Sequence, residues 1–190
     1  MKRIPRQLAR VIIQPGRIFR ELTLTHPGPL ATTVLIGTMI STLAGVWASH
    51  HDALNVNPSA FTALAPFHIL ALLTGILLFS AVWHLSADLA GGAGRGLTLF
   101  LFVIISTLPI WLAGPSAWLL RVLTSLDGLY PIVLSVLLGW SLLLISIAVR
   151  LIYRFTPAKA AGVLFIPLAV LAGLATGLIA LIPTTVLFPW

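Results

Sequence analysis

Residues 84–96 read HLSADLAGGAGRG. A long apolar run precedes them, and LTLFLFVIISTLPIW (97–111) follows directly. His84 and Asp88 stand four apart, so on a helix they share one face. Four glycines and Arg95 come next. Two chemical readings offer themselves: a cation or proton site, and then a phosphate-binding loop. Composition points to a third reading, a membrane exit, with a helix end, a tight cytoplasmic turn and the start of the next helix.

Apolar residues make up 59% of the 190-residue chain and charged residues 8%. Mean hydropathy is +1.09. A soluble domain of this size needs more surface charge, whereas side chains that face lipid must be apolar. Cysteine is absent, which removes disulfides, thiolate metal sites and a thiol nucleophile. The N-terminus does not read as a cleavable signal peptide. Its basic region leads into an amphipathic stretch broken at Pro15-Gly16 and not into a short apolar core with a small-residue cleavage site.

About 20 apolar residues span a bilayer as a helix. Five stretches qualify, at about 30–48, 63–86, 97–120, 130–152 and 160–183. Strict apolar/polar alternation, the mark of a membrane barrel, is missing. The expected fold is therefore all-α: a polytopic bundle of five transmembrane helices (29–190) after a basic amphipathic cytoplasmic arm (1–28). The third stretch is interrupted by Pro109 and by Gly114-Pro115, and the fifth holds Pro167, so kinks are expected there.

The net charge of +7 is not a nucleic-acid footprint, because six of the eleven basic residues lie in the first twenty positions. With the N-terminus in the cytoplasm, those six join Arg95, Arg150, Arg154 and Lys159 inside, and Arg121 alone lies outside. By the positive-inside rule the N-terminus is cytoplasmic and the C-terminus is outside. Arg6, Arg10, Arg17 and Arg20 are then expected at anionic lipid headgroups. Leu8, Val11, Ile12, Ile18 and Phe19 would insert into the inner membrane surface. A flexible basic tail is the alternative for this arm.

Small residues recur at four-residue spacing along the spans: Thr33, Gly37, Ser41 and Gly45; Ala71 and Gly75; Ser135 and Gly139; Ala169, Gly173 and Gly177. Such ridges let helix backbones approach closely where lipid supplies no hydrophobic drive. They predict packing within one bundle, or contact with a second copy or another membrane protein.

The chemical candidates are few. Counting about 20 residues from Pro66 puts His84 in the last turn of its helix and Asp88 at headgroup level. A carboxylate at a helix C-terminus opposes the dipole and needs a cation. Arg95 across the turn is the nearest, and protonated His84 can also serve. The cluster His84, Asp88, Arg95 thus reads as an interfacial pairing that fixes the turn, with a cation or proton site at an inner mouth as the alternative. His68 is expected to bond a backbone or hydroxyl group. GGAGRG lacks the preceding strand and the Lys-Ser/Thr pair of a phosphate loop. Its glycines permit a hairpin through positive φ. His50-His51-Asp52 is read as a polar outer loop, since adjacent side chains rarely meet at one metal ion. No catalytic motif and no intramembrane carboxylate pair is present, so no enzyme activity and no cofactor is expected.

The order of features carries a resemblance. QPGRIFREL and THPGP precede the first span. HLSADLAGGAGRG leads into LTLFLFVIISTLPIW, then come WSLLLISIAV, the turn TPAKA and a last apolar helix. This resembles the bacterial branch of the Yip1 family of five-helix membrane proteins, over about residues 10–182. The resemblance implies a non-enzymatic membrane organiser or partner-binding subunit of a bacterial inner membrane, associating with itself or with another membrane complex. Eukaryotic members act in vesicle traffic with small GTPases. Their long cytosolic N-terminal domain has no counterpart in these residues, and DGLYP (127–131) differs in order and place from their Asp-Leu-Tyr-Gly-Pro type motif, so the trafficking role is not carried over. The competing functional expectation is a small cation or proton channel or transporter.

Overall fold

The computed structural model describes residues 3–49, 59–120 and 129–181. Their order is α1 (Arg3–Ile13), α2 (Pro15–Thr23), α3 (Gly28–Ser49), α4 (Ser59–Leu89), α5 (Gly96–Ser106), a 3-10 turn (Leu108–Leu112), α6 (Ala113–Leu119), α7 (Tyr130–Tyr153) and α8 (Pro157–Leu181). Described secondary structure is all helical. Four stretches, Gly28–Trp47, Leu64–Leu89, Gly96–Leu119 and Tyr130–Tyr153, are long and apolar enough to cross a membrane. The apolar helix α8 follows them. Helix α4 begins at Ser59, seven residues before Pro66, and carries that proline inside it.

The third span is broken. Proline has no N–H to give, and at Pro109 the chain leaves the α-helix for the 3-10 turn Leu108–Leu112 before resuming as α6. A break of this kind frees backbone groups that lipid cannot satisfy. Helix α3 supplies the partners. The Ser41 hydroxyl lies 3.0 Å from the Ile110 carbonyl and 2.9 Å from that of Trp111, and it accepts the Gly114 N–H at 3.0 Å. Its single proton is shared between the two carbonyls. Thr38 and Thr107 share a buried hydroxyl bond of 2.8 Å. In return, Trp111 Nε1 donates to the Val34 carbonyl at 3.0 Å.

Close approach makes these bonds possible. The Trp111 ring occupies the place a Cβ on Gly37 would take. A Cβ on Gly114 would stand 2.5 Å from the Ser41 carbonyl oxygen. Gly45 faces the Tyr130 hydroxyl and the Gly114 backbone. Gly37, Ser41 and Gly45 therefore lie where α3 meets the 3-10 turn, α6 and the start of α7. The other small-residue positions behave differently: added Cβ atoms on Gly75, Gly139 and Gly173 meet nothing within 4 Å. Only the helical backbone of Gly177 is described.

The arm departs from expectation. Helices α1 and α2 form a hairpin pinned by a two-pronged pair, Arg10 to Glu21 at 2.7 and 3.0 Å. Arg10 thus meets a carboxylate of its own chain, where a lipid headgroup was expected. Val11, Ile18, Phe19 and Leu22 are buried in the protein core and not inserted in lipid. Phe19 meets Phe102 of α5 edge to face, with centroids 5.0 Å apart, and α2 packs against α7. An amphipathic helix must bury its apolar stripe. The bundle offered a preformed surface and lipid a fluid one. Ile12 and Ile13 remain exposed.

This docking predicts that Phe19→Ala costs about 3–5 kcal/mol, as for a buried ring, and opens the arm to protease in reconstituted vesicles. A lipid-inserted ring would leave thermal stability in detergent nearly unchanged. Gly37→Leu should evict Trp111 and lower stability by about 1–3 kcal/mol. Gly139→Leu, facing open space, should shift it by no more than about 0.5 kcal/mol in the monomer.

Candidate functional site

Five helix ends gather at one end of the bundle: the start of α3, the end of α4, the start of α5, the end of α7 and the start of α8. The basic residues Arg95, Arg150, Arg154 and Lys159 collect here with Arg6, Arg17 and Arg20 of the arm, all on exposed positions, and with the half-buried Arg10.

Two helices stop by the same device. Gly91, at φ +78°, ends α4. Its N–H reaches the Asp88 carbonyl at 2.8 Å, and the Gly92 N–H reaches Ala87 at 2.9 Å. That pair of bonds is a Schellman stop. Helix α7 ends with Arg154 in the left-handed region at φ 55° and with the Phe155 N–H on the Arg150 carbonyl at 3.1 Å. There an arginine stands where glycine is the usual choice.

The glycines after Gly91 serve proximity and not turning. A Cβ on Gly92 would lie 2.6 Å from the Tyr153 ring and 2.8 Å from Phe155. On Gly94 it would lie 2.6 Å from Tyr153, and on Gly96 2.6 Å from the His84 ring. The loop is thus laid flat against an aromatic cluster in which Tyr153 stacks on Phe155 at 5.7 Å. The Lys159 ammonium caps Phe155 at 4.5 Å from the ring centre. Positive φ occurs at Gly91 alone among these four.

His84 Nδ1 bonds the Tyr153 hydroxyl at 2.5 Å, and Nε2 stands 3.6 Å from Asp88 Oδ2. Both ring nitrogens face protein groups. Among the described residues Asp88 pairs with His84 and not with Arg95, which corrects the expectation of an ion pair across the turn. The loop is flattened by its glycines against Tyr153, and the exposed Arg95 has no ion-pair partner within it. His68 Nδ1 bonds the Leu64 carbonyl of its own helix at 2.9 Å. His50, His51 and Asp52 lie outside the described residues. Arg17 stands 4.0 Å from Glu21, and Arg6 is exposed. Among the described residues, no three His, Cys, Asp or Glu side chains gather as metal ligands would.

Three participants escaped sequence reasoning: Tyr153, Glu21 and Trp111. Tyr153 is 69 positions from its partner His84, and Glu21 is 11 from Arg10. No local spacing signals either contact.

The chain matches the Yip1 domain over residues 9–179. It belongs to the Yip1 family. The four long apolar helices accord with a multi-pass membrane protein. No curated protein and no solved structure matches this Yip1-domain chain.

If the glycines serve close approach, Gly94→Ala should push Tyr153 off His84 and cost about 1–3 kcal/mol. Ala93→Ser, one residue away on the exposed side, should change stability by less than about 0.5 kcal/mol. Thermal unfolding of the detergent-solubilised protein reads both.

Proposed function

We propose that this Yip1-family protein is a non-enzymatic membrane organiser, a partner-binding subunit that crosses a bacterial inner membrane five times with its N-terminus in the cytoplasm. One observation carries the reading: small-residue positions on three helices lie against open space, while both ring nitrogens of His84 face protein groups. Gly75, Gly139 and Gly173 stand on faces of α4, α7 and α8 where nothing approaches within 4 Å. Exposed Ile132, Val136, Trp140 and Leu143 flank Gly139, and Phe165, Ile166 and Val170 precede Gly173. Small residues among large ones make a groove that another helix backbone can enter. A second copy of this chain, or a helix of another membrane protein, fits such a surface.

The fifth span and the orientation rest on charge and length. Helix α8 has 25 residues, Pro157–Leu181, which is enough to cross. Its start lies at the basic end, which the positive-inside rule places in the cytoplasm. The transport alternative gains nothing from the geometry at His84, whose two nitrogens already face Tyr153 and Asp88.

Crosslinking with mass spectrometry in native membranes tests the reading. Self- or partner crosslinks should fall at least several-fold in Gly139→Leu or Gly173→Leu while the monomer keeps its thermal stability. Unchanged crosslinks in both variants, or a pH-dependent ion flux in liposomes that Asp88→Asn abolishes, would refute it.

A further inference from the structure

Helices α2 and α7 leave a surface cavity of about 310 Å³ between them at the basic end. Its size falls at the lower end of the range of small-ligand pockets, about 300–1,000 Å³. The wall has two characters. Ile147, Leu151 and Phe155 make an apolar floor, and Arg20, Arg150 and Arg154 stand around it.

Among the described residues, the three guanidiniums have no acid to meet. The chain has only four carboxylate side chains. Of the two among the described residues, Glu21 is taken by Arg10 and Arg17, and Asp88 faces His84. Among the described residues, Arg20, Arg150 and Arg154 form no ion pair. Cations left facing one another repel, and an anion between them relieves this. Guanidinium forks match phosphate oxygens in geometry as well as charge.

Arg150 in the last turn of α7 is favoured by the dipole. Arg154, at the end of the same helix, shares that benefit, but its left-handed backbone carries a steric cost that glycine would avoid. That conformation places the side chain on the cavity wall. A strained residue at a cavity points to a role for its side chain.

We infer that this cavity binds the phosphate of an anionic lipid headgroup, with Arg20, Arg150 and Arg154 on its oxygens and Ile147, Leu151 and Phe155 against its glycerol and first methylenes. The apolar floor is what favours a lipid over a free phosphate ion, which has nothing to bury there. The site rests on the proposal that this end of the bundle lies at a membrane surface, and it goes beyond that proposal by naming one stoichiometric pocket in place of diffuse attraction by the arm.

The test uses the full chain in nanodiscs of phosphatidylcholine doped with phosphatidic acid, read by native mass spectrometry of the lipids retained. Wild type should keep one anionic lipid. Arg150→Gln with Arg154→Gln should weaken retention about tenfold or more. Arg6→Gln with Arg17→Gln removes the same charge from the arm and should leave retention intact. Arg154→Gly guards against misfolding, since it should raise thermal stability while lowering retention about fivefold. Saturable binding of inorganic phosphate in detergent, lost in the same pocket variants but without lipid retention, would overturn the lipid assignment in favour of a soluble phosphate. Equal losses in the arm and pocket variants, or a more stable Arg154→Gly with full retention, would overturn the site. A chain that fails to insert into the nanodisc at all would instead refute the membrane-surface reading beneath it.

Discussion

Backbone amides and carbonyls in a membrane have no water to turn to, and the architecture follows from how the broken third span meets that demand. Between Thr107 and Gly114 the helix gives way to a 3-10 turn at Pro109. Carbonyls of Ile110 and Trp111 and the amide of Gly114 are satisfied from a neighbouring helix by one hydroxyl, Ser41. This forces α3 to lie directly on the break, and the Gly37 and Gly114 backbones leave room for it. A polar group in this setting specifies which helix packs where, because a wrong neighbour would leave several groups unpaired.

The same economy of space governs the basic end. Glycines at 92, 94 and 96 let a loop press onto Tyr153 and His84, and the His84–Tyr153 bond joins α4 to α7. The arm continues the pattern: its apolar stripe fills the face of α5 and α7 around Phe102, and its arginines stay at the periphery. The result is one end of the bundle where rigid helix stops, aromatic stacking and unneutralised arginines coincide. A lipid headgroup pocket and an organising role are compatible, since a bound anionic lipid would set the height and tilt at which the exposed faces of α4, α7 and α8 meet a partner.

Much of the fold was legible. Hydropathy located the four long apolar stretches because lipid exposure imposes apolarity on whole runs of about 20 residues. Charge counting separated the two ends because ionised groups must stay at the water boundary. The small-residue stripe of α3 was visible as spacing. It was indistinguishable in kind from the stripes at Gly75, Gly139 and Gly173, since spacing records which residues share a face and not what that face meets. The arm's amphipathicity was equally plain, yet lipid and a protein groove accept the same apolar stripe, so periodicity could not choose between them.

By itself, then, the sequence determined the class: a helical membrane protein, spans separated by short turns, cations concentrated at one end and no catalytic constellation among its motifs. These are one-dimensional properties, set by the solvent each segment must face. Tertiary structure alone decided the pairings. Ser41 with the 107–114 break, Arg10 with Glu21 in place of a headgroup, His84 with Tyr153 while Arg95 stays apart, and Arg20 beside Arg150 and Arg154 all join positions whose separation along the chain holds no information about contact. Such contacts depend on helix rotation and crossing, which side-chain packing sets only once the helices meet.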